Sequence, residues 1–329
     1  MLIATHDGTF HADETVACAV LSYVFDNTSV IRTRNPIELE KADIIIDVSG
    51  KNDNRHFDHH SKEFTLSRDN GIRYATAGLM WQKFGKDFLK KIALELIKTH
   101  YEDDIIDAAF KRIDHEIMCM VDLNDNGQLN EFLENKIAPK TAEGRNVFNA
   151  LNEFYQIDPG IPYIVAMQNL PAVSGHEQDK AFMQTVKMLK QILQNASINA
   201  LNTEFGIKEV LKVYDGGKIL IMHTRLPWTQ AVLSHFDVFK NCVLAVYPDR
   251  KRGWRVQSLP LSKASRFANR CGAPLTWRGL DGQSLDKASG LNGTIFVHKA
   301  GFTGGALSFE TNLEMAKLWL KLGEYPVEN

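Results

Sequence analysis

The stretch Ile44-Ile45-Ile46-Asp47-Val48-Ser49-Gly50 is a short apolar run closed by a carboxylate and then by a turn. Three consecutive isoleucines leave no alternation of wet and dry faces, so the run reads as a strand covered on both sides, the pattern of a parallel sheet. Leu2-Ile3-Ala4-Thr5, ending at His6-Asp7-Gly8, reads the same way. Between the two, Val16, Ala17, Val20, Leu21 and Val24 recur at helical spacing from Asp13 to Phe25, and Val30 to Thr33 is a further β-branched segment. Strand, polar loop and helix form the opening unit of an α/β fold. With Leu2–Thr5 and Ile44–Ile46 as parallel neighbours, His6 and Asp47 leave the sheet at one carboxyl edge, where open α/β sheets bind ligands.

That edge is rich in metal-binding side chains. Phe57-Asp58-His59-His60 follows a polar loop, and five of the eleven histidines (His6, His11, His56, His59, His60) fall within the first 60 residues. Surface composition does not explain such a concentration. The candidate ligands are His6, His11, Asp13, Asp47, His59 and Asp125. Three imidazoles and three carboxylates exceed one tetrahedral site and suit two divalent ions bridged by a carboxylate, the arrangement of two-metal phosphoryl chemistry. Nitrogen and oxygen donors without thiolate favour Mn²⁺, with Mg²⁺, Co²⁺ and Zn²⁺ also admissible. Asp122-Leu123-Asn124-Asp125-Asn126-Gly127 reads as a polar turn, and it lacks the ligand spacing of a calcium loop.

A chain of 329 residues is long for a single core, and two domains are expected. The formal net charge of −2 excludes a global attraction to nucleic acid or membrane, so a nucleic-acid substrate needs a local basic cleft. Cys18, Cys119, Cys242 and Cys271 are scattered, as reduced thiols are. With no leader pattern or long apolar span, a soluble cytoplasmic protein is expected. Ala75 to Phe84, Asp87 to Lys98 and Asp103 to Met120 carry helical patterns, and Asn130 to Ile161 is mostly helical. Pro171-Ala172-Val173-Ser174-Gly175 reads as a linker before another helix. Beyond about Phe205 the pattern turns to strands at Lys218–Met222, Cys242–Tyr247, Trp254–Ser258 and Thr294–His298, then a helix from Glu314 to Leu322. The expected domains are residues 1–170, a helical connection 171–205, and a smaller α+β domain 206–329, with the active site in the cleft between them.

Asp58-His59-His60, with His6…His11-Ala12-Asp13 and Asp47 upstream, resembles the DHH phosphoesterase superfamily. A closer resemblance is to the Myg family, the melanocyte-proliferating-gene homologues known as metal-dependent hydrolases and RNA exonucleases. It is carried by Thr5-His6-Asp7-Gly8-Thr9-Phe10-His11-Ala12-Asp13-Glu14, Phe57-Asp58-His59-His60, Leu226-Pro227-Trp228 and Pro248-Asp249. Trp254-Arg255-Val256-Gln257, Trp277-Arg278-Gly279-Leu280, Ile295-Phe296-Val297-His298 and Gly301-Phe302-Thr303-Gly304-Gly305 continue it, so that it runs from residue 3 to about residue 320.

The resemblance implies an N-terminal domain with a mainly parallel sheet flanked by helices. It implies one ion on His6, His11 and Asp47 and a second on Asp13, Asp47, His59 and Asp125, with Asp122 as the alternative to Asp125. His11 departs from the superfamily pattern, where a carboxylate stands one residue closer to His6. His60 is expected to face the substrate phosphate or orient the nucleophile, with Asp58 as its partner and Asp47 as the bridge. Arg255, His298, Gly304 and Gly305 are the expected substrate contacts, the glycines as a phosphate cradle. Trp228, Trp254 and Trp277 offer rings for base stacking, although core packing is the expected role of at least two. Together these imply a phosphodiester hydrolase acting as a 3′–5′ exoribonuclease on RNA or short oligonucleotides. Hydrolysis of a dinucleotide, cyclic dinucleotide or pyrophosphate is the first rival reading, and a non-catalytic metal-bound nucleic-acid-binding protein the second.

Overall fold

The computed structural model describes residues 1–129, 131, 141–156, 160–171, 173–265 and 268–326. The chain divides into two compact units, Met1–Leu201 and Asn202–Asn329.

The first unit opens with β1 (Leu2–Thr5), α1 (Ala12–Val24), β2 (Ser29–Arg32), β3 (Ile44–Ile46) and β4 (His56–Phe57). The strands form one all-parallel sheet in the order β2-β1-β3-β4, with Ile3 opposite Ile44 and Ala4 opposite Ile45. Both faces are covered, as the isoleucine run requires. Ile3, Ile44 and Ile46 pack with α1 in the main core, while Ala4 and Ile45 pack on the other face against Leu39, Ala42 and Val48. α1 is buried almost all round, and α2 (Thr76–Ile92) packs against it.

Two expectations are corrected here. The patterns at Ala75–Phe84 and Asp87–Lys98 belong to one helix, because α2 runs straight through Gly85 and continues in a wider π-helical turn to Ile97. Gly85 is no break: a Cβ there would lie 2.7 Å from the Trp81 indole, so its smallness serves close packing. Similarly, α3 (Asp103–Ile113) passes through a π-helical turn, Asp114–Met118, into α4 (Cys119–Asp125). Asp122 to Asp125 is therefore the last turn of a helix, and only Asn126-Gly127 turns, with Gly127 at φ 64°. Arg68, far away in sequence, pairs with Asp114 and Asp122 at 2.7 Å each and ties the wide turn to the helix end.

α5 (Ala142–Gln156), α6 (Ile161–Ala166) and α7 (Gly175–Val213) follow, and the boundary between the units falls within α7. The rest of the helical stretch expected after Asn130, and Ala172 of the expected linker, lie outside the described residues.

The second unit contains β5 (Ile219–Ile221), α8 (Trp228–Ser234), β6 (Leu244–Pro248), β7 (Trp254–Ser258), α9 (Gly282–Ser289), β8 (Thr294–Val297), β9 (Thr303–Ala306) and α10 (Phe309–Leu322). Its sheet order is β5-β6-β7-β9-β8, with β5 and β6 parallel and the other pairs antiparallel. Trp277 is a core residue, Trp228 is largely buried but borders a cavity, and Arg250-Lys251-Arg252 is the exposed tip between β6 and β7.

Gly304 and Gly305, expected as a phosphate cradle, are buried in the middle of β9, between β7 and β8. A Cβ on Gly304 would lie 2.9 Å from the Phe296 carbonyl oxygen, and one on Gly305 2.5 Å from that of Trp254. Their missing side chains serve sheet packing. Gly305→Ala is expected to cost about 1–3 kcal/mol of stability, the usual range for overpacking, and to lower the denaturation midpoint. An unchanged midpoint would refute this packing role.

Candidate metal centre

The strand register builds the site. Continuing the pairing of β1 with β3 and of β3 with β4 by one or two residues places His6, Asp47 and Asp58 side by side at the carboxyl edge. Asp47 adopts φ 54°, the left-handed region that non-glycine residues rarely visit, and its N–H donates to the Phe57 carbonyl. These residues line an open cavity of about 830 Å³ that also reaches His11, His60 and Asp125.

Around the loop from His6 to His11, Glu14 takes a position that local pattern alone assigns only to helix capping. Its Oε1 accepts the N–H of His11 at 2.8 Å and lies 3.2 Å from His6 Nε2. His6 Nε2 is also 3.5 Å from Asp47 Oδ2. His6, His11 and Glu14 each offer a donor atom within 4.8 Å of the others, a group whose Glu14 sequence reasoning missed. Its signal was the Glu three residues after the helix start; the second contact is made only by the fold.

Deeper in the site, Asp13 of α1 is fully buried and accepts the N–H groups of Thr76 and Ala77 at 2.9 and 2.6 Å. It thereby caps α2 from another helix, since Ala75 at that N-terminus supplies no side-chain cap. His59 Nε2 lies 2.9 Å from Asp125, while its Nδ1 is 3.7 Å from Asp13 and 4.0 Å from Asp47. Asp13, His59 and Asp125 form a second group with donor atoms within 4.8 Å, and Asp47, Asp58, His59 and His60 a third. Asp122 turns elsewhere: its carboxylate meets Arg68 and accepts the Gly78 N–H. Of the two aspartates weighed from sequence, Asp125 is the one that meets His59.

His60 is the exposed member of the pair of imidazoles, with 62% of its side chain accessible. Asp58 receives its Nδ1 at 2.8 Å and also its backbone N–H at 2.9 Å. Asp47 Oδ1 lies 3.3 Å from the same Nδ1 yet has no hydrogen-bond partner, and neither has Glu14 Oε2, though both oxygens are buried. Buried carboxylate oxygens without donors are costly, and a cation at each group satisfies them. By this test the residues fit divalent ions.

The electrostatics agree. Burial raises the Asp13 carboxyl well above its ordinary range, and the charges of Asp47, Asp125 and Asp122 push the same way. Burial would depress the His6 imidazolium, but hydrogen bonds to Asp47 and Glu14 outweigh it and bring it up to about 10. Asp47 and Asp58 push His60 up to about 10 against the smaller effect of burial. In the ion-free protein these imidazolium ions stand where metal charge would act.

The polar loop itself is pinned by residues not singled out from sequence. The Asn169 side chain accepts the Phe10 N–H at 2.9 Å and donates to the Phe10 carbonyl at 2.8 Å. Arg32 donates to the Gly8 carbonyl at 2.6 Å, pairs with Asp179 at 2.7 Å, and lies over the rings of Phe10 and Phe182. Nothing local in sequence marks Asn169 for this; the contact spans 159 positions. Of the remaining expected residues, Arg255 pairs with Asp249 at 3.0 Å and lies over the Phe296 ring, and His298 packs on Phe302. Both belong to the second unit.

The fold and site thus define an α/β protein that gathers imidazoles and carboxylates at the carboxyl edge of a parallel sheet. Residues 2–320 match the MYG1_exonuc model, described as an uncharacterised protein family (UPF0160), and the chain belongs to that family. It is 30% identical to a MYG1 protein of Schizosaccharomyces pombe, over 96% of each chain. It is 31% identical to the MYG1 exonuclease of Rattus norvegicus, covering 99% of this chain and 86% of the relative. A solved structure of RecJ in complex with Mn²⁺ from Thermus thermophilus overlaps at a TM-score of 0.27 and 14% identity, over 53% of that chain.

Two outcomes are expected. Because His6 and His60 hold their protons more tightly folded than unfolded, the stability this lends to the ion-free protein is complete below pH 6.5 and lost as pH rises through about 10. Melting temperatures in chelator should fall across that window, and added divalent ion should stabilise increasingly as pH rises; a flat profile would contradict the assignment. Asn169→Ala should weaken divalent-ion affinity by roughly 10–100-fold, as loss of a ligand-orienting partner does. Calorimetric titration alongside thermal denaturation separates that effect from general unfolding.

Proposed function

We propose that this protein is a metal-dependent phosphodiester hydrolase, a 3′–5′ exoribonuclease working with two divalent ions, Mn²⁺ foremost. The observation that carries this reading is the pairing of unsatisfied buried oxygens with neighbouring imidazoles at the strand edge: Asp47 Oδ1 and Glu14 Oε2, beside His6, His11, His59 and Asp125. His6, His11 and Asp47, with Glu14 at their side, would hold one ion; Asp13, His59 and Asp125, sharing Asp47, would hold the other. Divalent ions held there supply charge neutralisation of a phosphate and activation of water.

The protein's own groups do the rest. Asp58 holds the His60 ring through Nδ1 and its backbone through the N–H, so an accessible N–H donor stands ready for a phosphate oxygen or an attacking water. The low pKa of Asp58, about 2, keeps it ionised at any working pH; burial opposes this, and hydrogen bonds from His60 and Gly50 prevail. In the second unit, Arg255 and His298 are the proposed contacts for substrate phosphates.

The name exonuclease borne by the rat relative, and by the human relative at 29% identity, favours a nucleic-acid substrate over a small phosphorylated metabolite. The preference for RNA, and the 3′–5′ direction, rest on the Myg resemblance.

The test is to assay the purified protein with Mn²⁺ against end-labelled RNA, single-stranded DNA, dinucleotides and pyrophosphate. Stepwise shortening of RNA from its 3′ end is expected, and pyrophosphate hydrolysis without RNA cleavage would replace this reading with the small-metabolite one. Asp47→Asn should lower turnover by several orders of magnitude and reduce bound metal in the same preparation. Retention of two ions with near-normal turnover would sink the shared-ligand scheme.

A further inference from the structure

The motifs around Trp228, Gln257 and Phe302 are left without a role by the metal centre, yet all three meet at one place. Within the second unit they line a cavity of about 470 Å³, together with Gln230 and Asn269. That is the size range of small-ligand sites. Its chemistry differs from that of the metal centre: among the described residues lining it, none carries a charged side chain. It combines two aromatic rings with three carboxamides. A ligand for such a site is neutral and planar where it enters, with several donors and acceptors on its edge.

Two details narrow the class. Tyr247 donates its hydroxyl to Gln257 Oε1 at 2.7 Å. That contact fixes the amide by its carbonyl end and leaves the Gln257 N–H groups to be offered, as carboxamides do to the edges of bases. Phe302, a wall of the cavity, also packs against His298, with ring centroids 4.7 Å apart. An imidazole able to donate to phosphate therefore lies one ring away from the uncharged cavity.

We propose that this cavity is a nucleobase-binding site, in which a base of the substrate or product nucleotide lies against Trp228 and Phe302 and is read by Gln257 and Asn269. The proposal deepens the phosphodiesterase reading and rests on it for the identity of the ligand, though its test does not depend on turnover. The aromatic surface supplies affinity that is tolerant of sequence, as in single-strand binding, and the fixed Gln257 amide supplies base preference.

The experiment uses the full-length protein in chelator, where no hydrolysis occurs. Adenosine, cytidine, guanosine and uridine 5′-monophosphates are titrated against ribose 5-phosphate, by calorimetry and by tryptophan fluorescence. The nucleotides are expected to bind and quench, unequally among the bases, while ribose 5-phosphate does neither. Phe302→Leu should weaken nucleotide binding by roughly five- to a hundred-fold, the range for loss of one stacking partner. Tyr247→Phe, which frees the Gln257 amide to rotate, should level the differences among bases while retaining most of the affinity. Asn269→Ala, at a half-exposed position, guards against loss of fold in the other variants and should also weaken binding.

Equal binding of ribose 5-phosphate and nucleotides would overturn the proposal. So would affinity within two-fold of the parent in both Phe302→Leu and Asn269→Ala. Either result leaves metal-dependent hydrolysis standing. Base binding without hydrolysis of any nucleic acid would instead remove the enzyme reading and keep the site.

Discussion

The parallel pairing of β1, β3 and β4 is the constraint on which the metal centre depends. Each strand is only two to four residues long, and each delivers one functional side chain at the residue where it ends. Because parallel neighbours run in register, His6, Asp47 and Asp58 arrive together. A slip of one residue would exchange the buried and site-facing sets along a strand. The left-handed backbone of Asp47 is part of the same arrangement. Such a conformation costs on the order of 1–3 kcal/mol and persists only where surroundings over-determine it, here a strand pair on one side and a buried carboxylate position on the other.

Gathering like charges is the second cost of this site. Asp13, Asp47, Asp58 and Asp125 converge in a region where Asp13 and Asp58 are almost wholly out of water. The protein moderates the repulsion in stages. Asp13 rests on the N-terminus of α2, where two N–H groups and the helix dipole receive it. Asp58 takes backbone N–H groups from Gly50 and His60. Asp122 is drawn off by Arg68. Asp47 Oδ1 and Glu14 Oε2, left without donors, belong to carboxylates that face imidazole nitrogens, which is the pattern of a site completed by cations rather than by protein donors.

The two units divide the chemistry in composition as well as in chain. The first unit concentrates ionisable groups at a sheet edge, and its polar loop is braced from outside by Asn169 and Arg32. The second unit is a mixed sheet whose motif residues split between packing and surface. Trp277 and the glycines of β9 serve the core, while Gln257 and Phe302 reach an uncharged cavity. Motif residues close together in sequence, such as Phe302 and Gly304, thus have different physical reasons for being there.

Much of the fold was legible because local pattern determined it. The isoleucines of β3 have no polar face to expose, the apolar spacing of α1 permits burial on a helix, and a carboxylate or imidazole at each strand end has nowhere to go but the carboxyl edge. From these the α/β class, the parallel order of β1 beside β3, and the clustering of His6, Asp47 and His59 follow from sequence. What sequence could not reveal depends on partners far along the chain. Ala75–Phe84 and Asp87–Lys98 read as separate helical stretches, and only the Trp81 indole packed against Gly85 gives the reason one helix passes through both. Asp125 was set before Asp122 by resemblance alone, and it is the fold in which Arg68 claims Asp122 and His59 meets Asp125. Gly304 and Gly305 looked permissive in isolation, and only the carbonyls of Phe296 and Trp254 reveal that they are there to leave room. Residue type and spacing determined which chemistry this chain can perform; tertiary structure decided which copy of each residue performs it, because a side chain's role is set by the nearest charge or surface in space and not by its neighbours in sequence.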